Sequence, residues 1–217
     1  MDLDYAALRE RMVVEQLEAR DIVDPRVLEA MRKVPRHLFV PPDLQHLAYH
    51  DGPLPIGHDQ TISQPYIVAL MTQSLGLTGS ETVLEVGTGS GYQTAVLCEL
   101  CRQVFSLERD RFLANRAASR LTGLGFANVE VYVGDGSQGL PDMAPFDAIL
   151  VSAAAPAIPG PLRTQLADGG RLVLPVGDRT SQMLVRVWRD GDSWRIEDIA
   201  PVMFVLLYGR YGFHKER

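Results

Sequence analysis

The stretch that decides the fold runs from Val83 to Tyr92 and reads Val-Leu-Glu-Val-Gly-Thr-Gly-Ser-Gly-Tyr. A short apolar run ends in three alternating glycines, and an apolar sequence of helical character resumes at Gln93. This pattern predicts a buried parallel strand, a tight loop and the first turns of a helix. Glycines let the backbone of the loop approach a ligand closely, and the start of the helix offers unpaired N–H groups. The stretch therefore indicates a ligand site.

The spacing of the glycines narrows the kind of ligand. Dinucleotide sites use G-x-G-x-x-G, whereas this chain has G-x-G-x-G with Glu85 two residues before the first glycine. Glu108 ends a second apolar run, where a carboxylate can accept hydrogen bonds from both hydroxyls of a ribose. The combination resembles the S-adenosylmethionine site of Rossmann-like methyltransferases, and that resemblance implies that Glu85 contacts the ammonium group of the cofactor.

Downstream of residue 78 the chain alternates strands and helices, which predicts a doubly wound, mostly parallel α/β sheet. The strands are expected at 83–86, 104–108, 129–133, 146–151 and 171–176, followed by antiparallel strands at 183–188, 194–199 and 202–208. Ligands bind such sheets at the carboxyl ends of the strands. Glu85, Glu108, Asp135 and Ser152 all fall there, so we expect them to share one site.

Residues 1–77 are expected to form an N-terminal helical and substrate-loop region of the same domain, and residues 78–217 the cofactor-binding core with the C-terminal strands. The periodicity predicts a helix over 4–20, with Tyr5, Leu8, Met12 and Ala19 on one stripe. A second helix follows the Asp24-Pro25 cap and ends at Pro35. Residues 35–62 are predicted to be a long ordered loop and 63–75 a third helix.

Composition sets the class of protein. A chain of 217 residues that is 46% hydrophobic is long enough for one soluble domain with a sizeable core. A net charge of -6 argues against a nucleic acid partner, and no apolar run is long enough to span a bilayer. Cys98 and Cys101 are expected to be buried inside a helix, which fits a reducing cytoplasm. We expect a cytoplasmic monomer that does not bind a membrane.

Several segments together resemble the protein-L-isoaspartate (D-aspartate) O-methyltransferase family, from about residue 8 to residue 206. They are Thr61-Ile62-Ser63-Gln64-Pro65-Tyr66, the loop 84–92, the stretch 147–156 continuing into 169–177, and the N-terminal blocks 11–13 and 35–41. The resemblance implies a Rossmann-like fold and an enzyme that uses S-adenosyl-L-methionine. Members methylate the free α-carboxylate of L-isoaspartyl and D-aspartyl residues in damaged proteins and peptides. The ester then collapses to a succinimide, so that normal aspartate can re-form.

The resemblance also implies the residues of the site. Ser63 is the expected catalytic residue, and no metal is expected. The cofactor is expected to contact Glu85, Gly87, Thr88, Gly89, Ser90, Gly91, Tyr92, Glu108, Asp135 and Gly136, with the last pair near the adenine. The isoaspartyl peptide is expected to contact Thr61, Ile62, Ser63, Ser152, Ala153 and Ala154.

Structural roles compete with several of these assignments. Ser63 precedes a helix that carries Pro65, so its hydroxyl could equally be an N-cap. Thr61 and Ile62 are expected to pack in the loop, and Tyr92 could simply pack the start of its helix. Asp135-Gly136 could be a turn.

An α-carboxylate has a reference pKa of about 3.3 to 3.7 and is ionised at neutral pH. The transfer therefore needs no general base, only positioning and desolvation.

The chain departs from the family pattern at three positions, where Asp21 and Asp59 replace usual glycines and Leu206 replaces a usual proline. One alternative is therefore a protein that binds S-adenosylmethionine but has lost or altered its carboxyl methyltransferase activity. Another alternative is a nicotinamide dehydrogenase, which the G-x-G-x-G spacing disfavours.

Overall fold

The computed structural model describes residues 3–214, and the ends of the predicted domain at residues 1–2 and 215–217 lie outside it. A hairpin is formed by β1 (Leu54–Gly57) and β2 (Gln60–Ile62). The main sheet contains β3 (Thr82–Val86), β4 (Gln103–Glu108), β5 (Val129–Val133), β6 (Phe146–Val151), β7 (Leu166–Gly177), β8 (Gln182–Asp190) and β9 (Ser193–Val202). Its strand order is β5-β4-β3-β6-β7-β8-β9.

The order of the strands positions the site. From β3 the chain crosses to β4 and β5 on one side, and then returns to β6 on the other side of β3. These five strands through β7 run parallel, whereas β8 and β9 are antiparallel. The predicted α/β class is therefore confirmed. A reversal of strand order opens a crevice at the carboxyl ends, so the loop after β3 lies at the switch point.

The helices are α1 (Tyr5–Met12), α2 (Pro25–Lys33), α3 (Pro65–Leu75), α4 (Tyr92–Cys98), α5 (Arg111–Gly123) and α6 (Gly160–Thr164). Short 3-10 turns occur at Arg36–Phe39, Pro42–Leu47, Gly136–Gln138 and Pro141–Met143. The Asp24 carboxylate accepts from the backbone N–H of Arg26 with Pro25 at the first helical position, which confirms the predicted cap. Asp110 caps α5 in the same way.

The predicted helix over 4–20 is not a regular α-helix along its whole length. It consists of α1, followed by a π-helical segment, Val13–Glu18. A π-helix has a wider turn than an α-helix, so the buried stripe passes from Met12 to Leu17. Ala19, which the regular periodicity placed on the stripe, is exposed.

Two irregular regions also differ from their predictions. The predicted loop 35–62 contains the β1–β2 hairpin and two of the 3-10 turns. The predicted last strand, 202–208, is an extended segment instead. It pairs with the residues after β6, where the N–H of Ala154 donates to Val205 O over 2.8 Å and the N–H of Leu207 donates to Ala154 O over 2.7 Å.

The core covers both faces of the sheet. One buried cluster joins the N-terminal helices to the sheet through residues such as Met31, Phe39 and Tyr92, and a second cluster around Leu84 and Ile149 covers the other face. Cys98 and Cys101 are buried free thiols, as predicted. Only Cys98 belongs to a helix, as the last residue of α4, whereas Cys101 lies three residues beyond it, so the prediction that both lie inside a helix is wrong for Cys101. Burial raises the pKa of Cys101 to about 12. In the described part of the chain, no helix is both long and apolar enough to cross a membrane.

Candidate active site

The glycine loop after β3 is held by the neighbouring strand ends. The N–H of Gly87 donates to Leu107 O over 2.8 Å, and the N–H of Ser152 donates to Val86 O over 2.8 Å. Gly87 and Gly89 have φ angles of +96° and +53°, a region that side chains disfavour. The loop thereby turns sharply over the ends of β3, β4 and β6 and leaves space beside its backbone.

This space is a cavity of about 590 Å³, which lies within the range of about 300–1,000 Å³ typical of ligand sites. We call it the loop cavity. The predicted residues that line it are Thr61, Ile62, Ser63, Gly87, Thr88, Gly89, Ser90, Tyr92, Glu108, Gly136, Ser152 and Ala153. Residues from both halves of the chain therefore line one cavity.

Glu108 supplies a carboxylate to the wall of the loop cavity. One oxygen accepts from the N–H of Gly89 over 2.9 Å and the other accepts from the N–H of Asp110 over 3.0 Å. The side chain is only 6% exposed. Each carboxylate oxygen has two lone pairs, so Glu108 retains acceptor capacity for a ligand while its own backbone contacts fix its orientation.

A second cavity of about 520 Å³ adjoins the loop cavity, and we call it the groove. Its walls are Pro53, Gln64, Ile67, Pro201, Val202, Met203 and Phe204, together with the four residues that it shares with the loop cavity. The shared residues are Thr61, Ser63, Ser152 and Val205. The two cavities thus meet at three hydroxyl side chains, those of Thr61, Ser63 and Ser152.

The β1–β2 hairpin contributes residues 58–62 to the wall of the loop cavity, and no sequence pattern predicts this hairpin. His58 and Asp59 both have a φ of +56°, as in the type I′ turns that join short hairpins. His58 Nδ1 lies 2.8 Å from Asp110 Oδ2, and its ring stacks on Phe112 at 4.7 Å. Arg116 donates to Ile56 O over 2.7 Å, so residues of α5 and its N-cap contact both the first strand and the turn of the hairpin.

Glu85 does not line the loop cavity, contrary to the expectation that it contacts the cofactor directly. It is fully buried, and one carboxylate oxygen accepts from the hydroxyls of Thr94 and Ser106, each over 2.6 Å. Burial raises the pKa of Glu85 to about 8, even though these two hydrogen bonds lower it. The Glu85 carboxylate therefore does not reach the cavity in which a direct contact with the ammonium group is expected.

Three other predicted contacts also lie outside the loop cavity. The Asp135 carboxylate is occupied by the N–H and hydroxyl of Ser137 and by the N–H of Arg210. A side chain at Gly91 would contact Ala117 of α5, so this glycine lets α4 pack on α5. Ala154 is fully buried and pairs its backbone with the extended C-terminal segment. These positions support the walls of the site instead.

The surroundings of Ser63 and Tyr92 bear on the structural roles predicted for them, an N-cap for Ser63 and packing at the start of a helix for Tyr92. The N-cap of α3 is Gln64, and no side chain caps that helix. Among residues 3–214 the Ser63 hydroxyl has no hydrogen-bond partner, and the side chain is half-buried at the junction of the cavities. The capping interpretation is therefore wrong. Tyr92 is fully buried, with its ring 5.5 Å from Phe39, so it does pack the start of α4.

Sequence reasoning missed several lining residues of the loop cavity. They are His58, Gln60, Val68, Val86, Gln93, Leu107, Arg109, Asp110, Val205, Leu207 and Tyr208, together with the departure positions Asp59 and Leu206. The segment 205–208 was assigned to a strand, and strand periodicity carries no signal for a ligand. The position of Arg109 and Asp110 directly after Glu108 is the signal that could have found those two.

Comparisons with known proteins agree with this geometry. The sequence profile of the protein-L-isoaspartate (D-aspartate) O-methyltransferase family matches residues 8–212. The chain belongs to this family. It is 58% identical over 211 residues to protein-L-isoaspartate O-methyltransferase 1 of Syntrophobacter fumaroxidans, covering 97% of this chain and 99% of that one. It is 52% identical to the protein-L-isoaspartate O-methyltransferase of a Roseiflexus species, covering 99% and 98%.

Solved structures of the methyltransferase family share the fold. A protein-L-isoaspartate O-methyltransferase with 27% identity superposes with a TM-score of 0.84 over 94% of this chain and 67% of that chain. A Plasmodium falciparum protein assigned to the same family, in complex with S-adenosyl-L-homocysteine, has 25% identity and a TM-score of 0.80 over 92% and 98%. S-adenosyl-L-methionine is accordingly the cofactor of this methyltransferase family.

The three positions that depart from the methyltransferase pattern lie in different surroundings. Asp21 accepts from the Tyr66 hydroxyl over 2.7 Å at the start of α3, and burial together with this hydrogen bond raises the pKa of Tyr66 to about 12. Asp59 is exposed at the tip of the hairpin on the rim of the loop cavity. Leu206 pairs with Ala154 in the extended segment. Nothing in the structure explains why a leucine replaces the usual proline there.

Proposed function

We propose that this chain transfers a methyl group from S-adenosyl-L-methionine in the loop cavity to the α-carboxylate of an isoaspartyl residue in the groove. The observation that carries this proposal is the junction of the two cavities at Ser63 and Ser152. A displacement at the methyl carbon needs donor and acceptor in line at close approach. Two cavities that open into each other at polar side chains provide such an approach.

The loop cavity fits the parts of the cofactor. Glu108 is buried at a strand end and keeps free lone pairs, which suits the two ribose hydroxyls. Gly136 approaches β3 so closely that a Cβ atom there would lie 2.3 Å from Val86 Cγ1, so the wall facing the ligand stays thin. The bound cofactor supplies an activated methyl group on a sulfonium, while Gly87, Thr88, Gly89, Ser90 and Tyr92 bind and enclose it.

The groove fits a peptide better than a small polar substrate. Its outer walls are mostly apolar, with Pro201, Val202, Met203 and Phe204 in sequence on one side. Met203 is 64% exposed, so its side chain is accessible to a peptide that lies in the groove. Thr61 and Ser152 form the inner end of the groove near Ser63, where small side chains leave room for the carboxylate, and Ile62 and Ala153 continue the wall into the loop cavity.

The reaction requires no base from the protein. The α-carboxylate is ionised at neutral pH because its reference pKa is about 3.3 to 3.7. Ser63 donates its free hydroxyl to one carboxylate oxygen and leaves the other to attack the methyl carbon. The apolar walls of the groove remove water from the nucleophile, so positioning and desolvation supply the catalysis. Family membership disfavours the alternative of a binding protein without transfer activity.

The cellular setting is part of the same proposal. We propose a monomer that acts in the cytoplasm on damaged proteins and binds neither nucleic acid nor membranes. Cys98 and Cys101 are free thiols, which fits a reducing compartment, where disulfides are rare. A net charge of -6 fits a partner other than nucleic acid.

Paired peptides test the proposed substrate. An isoaspartyl linkage presents the α-carboxylate as a short branch, whereas a normal aspartate presents its carboxylate one carbon further from the backbone. A misplacement of about 1 Å costs as much as about a hundredfold in rate. With radiolabelled S-adenosylmethionine we expect strong methylation of an isoaspartyl peptide and almost none of its aspartyl twin. Equal methylation of both peptides would leave only an unspecified carboxyl methyltransferase.

A further inference from the structure

Glu85 lies on a strand inside the sheet, yet a line of hydroxyl groups connects it to the loop cavity. In the β3–β4 pairing it is opposite Ser106, and its carboxylate oxygen Oε2 lies 2.6 Å from Ser106 Oγ. Ser106 Oγ in turn lies 2.5 Å from Thr88 Oγ1. Thr88 lines the loop cavity, so three side chains form a continuous relay from the core to the loop cavity.

The surroundings of Glu85 favour a neutral acid. Glu85 and Ser106 are fully buried, and the second carboxylate oxygen of Glu85 has no hydrogen-bond partner within residues 3–214. The titratable groups that face it are Glu108 at the end of β4, Cys98 on α4 and Cys101 after that helix. None of these is a cation, and an unpaired buried carboxylate is costly. Burial, with a further contribution from Glu108, raises the pKa of Glu85 to about 8.

The protonation state of Glu85 determines what Thr88 offers to the ligand, because each hydroxyl has one proton to donate. An ionised Glu85 accepts from Ser106, Thr88 then donates inward to Ser106, and only lone pairs face the loop cavity. A neutral Glu85 with its proton on Oε2 donates to Ser106 while the same oxygen still accepts from the Thr94 hydroxyl. Ser106 then donates to Thr88, and the Thr88 proton is free. In the neutral state Thr88 therefore donates to an oxygen of the ligand.

We propose that Glu85 is a positioning residue that acts as a neutral acid and, through Ser106, directs the Thr88 hydroxyl proton toward an acceptor oxygen of the cofactor. This role replaces the direct contact between a Glu85 carboxylate and the ammonium group. The inference rests on the cofactor site proposed above. Binding of S-adenosyl-L-homocysteine by the parent protein at pH 7 checks that site separately, without any methyl transfer.

The test compares Glu85→Gln with the parent, because an amide is neutral at every pH and its NH₂ group donates to Ser106. We expect Glu85→Gln to bind S-adenosyl-L-homocysteine within about threefold of the parent at pH 7 by calorimetry. Between pH 7 and pH 9 the parent should lose affinity relative to Glu85→Gln by about threefold or more, since the relay reverses when Glu85 ionises. The amine of the ligand titrates equally with both proteins and cancels in the ratio.

Further variants distinguish an effect of the relay on ligand binding from a general effect on the folded structure. Thr88→Val should bind the ligand at least about fivefold more weakly than Thr88→Ser, which keeps the hydroxyl. Glu81→Gln, at another buried glutamate outside the relay, should retain the pH dependence of the parent.

Urea unfolding gives a readout without ligand. The folded protein keeps the Glu85 proton up to about pH 8, whereas the unfolded chain loses it near the usual value of about 4.5. The stability of the parent relative to Glu85→Gln should therefore fall as the pH rises from 5 to 8. The proposal is overturned if Glu85→Gln binds more than threefold more weakly at pH 7, if both proteins lose affinity in parallel up to pH 9, or if their difference in stability does not change with pH.

Discussion

At the scale of single residues, Glu85 and Glu108 illustrate how similar positions acquire different chemistry. Both are buried glutamates near the carboxyl ends of adjacent parallel strands. Glu85 lies opposite Ser106 within the sheet and bonds to hydroxyls of the core. Glu108 is the last residue of β4, so its carboxylate reaches the backbone of the glycine loop and the cavity. The two glutamates therefore differ in role because Glu108 is the last residue of its strand, whereas Glu85 lies within its strand.

Replacement of Glu108 tests the ribose site. Glu108→Ala removes the acceptor for two buried hydroxyls, a loss of about 1–3 kcal/mol, and it also leaves the N–H groups of Gly89 and Asp110 without their acceptor. We expect the affinity for S-adenosyl-L-homocysteine to fall about tenfold or more by calorimetry, in a protein that circular dichroism shows to be folded. Glu130→Ala, on the exposed edge strand β5, is the matched control. Unchanged affinity in Glu108→Ala would show that the ribose binds elsewhere.

Replacement of Ser63 tests the carboxylate contact. Because its hydroxyl makes no cap in α3, Ser63→Ala should change the free energy of unfolding by no more than about 0.5 kcal/mol. Cofactor affinity should stay the same, while turnover on an isoaspartyl peptide should fall about tenfold from the loss of a hydrogen bond to a charged group. Ser193→Ala at the exposed start of β9 serves as control. Turnover equal to that of the parent would remove Ser63 from the reaction.

At the scale of elements, the close contact between the loop after β5 and strand β3 determines the shape of the loop cavity. A Cβ atom at Gly136 would lie 2.3 Å from Val86 Cγ1, whereas one at Gly123 near the end of α5 would meet nothing within 4 Å. The two glycines form a natural pair for comparison. Both have φ angles that a side chain tolerates, so the difference between them is steric.

We expect Gly136→Ala to lower the free energy of unfolding by about 1–3 kcal/mol, because overpacking a tight contact displaces its neighbours. It should also weaken cofactor binding, since Gly136 lines the loop cavity. Gly123→Ala should be neutral or stabilise the protein by up to about 1 kcal/mol, because alanine reduces the entropy of the unfolded chain. Urea unfolding and calorimetry measure both effects. Equal stability of the two variants would mean that the loop after β5 adjusts freely.

The elements that sequence reasoning missed share a physical cause. The hairpin turn at His58-Asp59 lacks the Asn-Gly or Asp-Gly pair that marks a type I′ turn, and its surroundings are rich in proline and glycine. The π-helical segment Val13–Glu18 shifts the buried stripe by a residue, which no regular period anticipates. Both features are fixed by tertiary contacts, such as those of His58 with Asp110 and Phe112.

At the scale of the whole molecule, local sequence patterns predict the strands of the sheet, but they do not predict which way the side chains of the site residues point. Continuous apolar runs and glycine turns predict strands β3 to β6 within one residue of their observed bounds, because parallel strands are buried on both faces. The predicted strand 171–176 covers only the second half of β7, which begins at Leu166. The register that places Glu85 against Ser106, and the return of residues 205–207 to Ala154, depend on contacts between distant segments. For that reason most of the predicted site residues line one cavity, whereas Glu85, Gly91, Asp135 and Ala154 do not line it.

In the proposed arrangement the cofactor occupies the loop cavity and the peptide occupies the groove, and a crystal structure of the ternary complex with S-adenosyl-L-homocysteine and an isoaspartyl peptide would test both placements. We expect the ribose hydroxyls to lie within hydrogen-bond distance of Glu108 and the sulfur to face the junction of the cavities. We also expect the peptide to run through the groove along Val202 to Phe204, with its α-carboxylate accepting from the Ser63 hydroxyl. A carboxylate bound away from Ser63, or a sulfur that faces away from the groove, would contradict this arrangement.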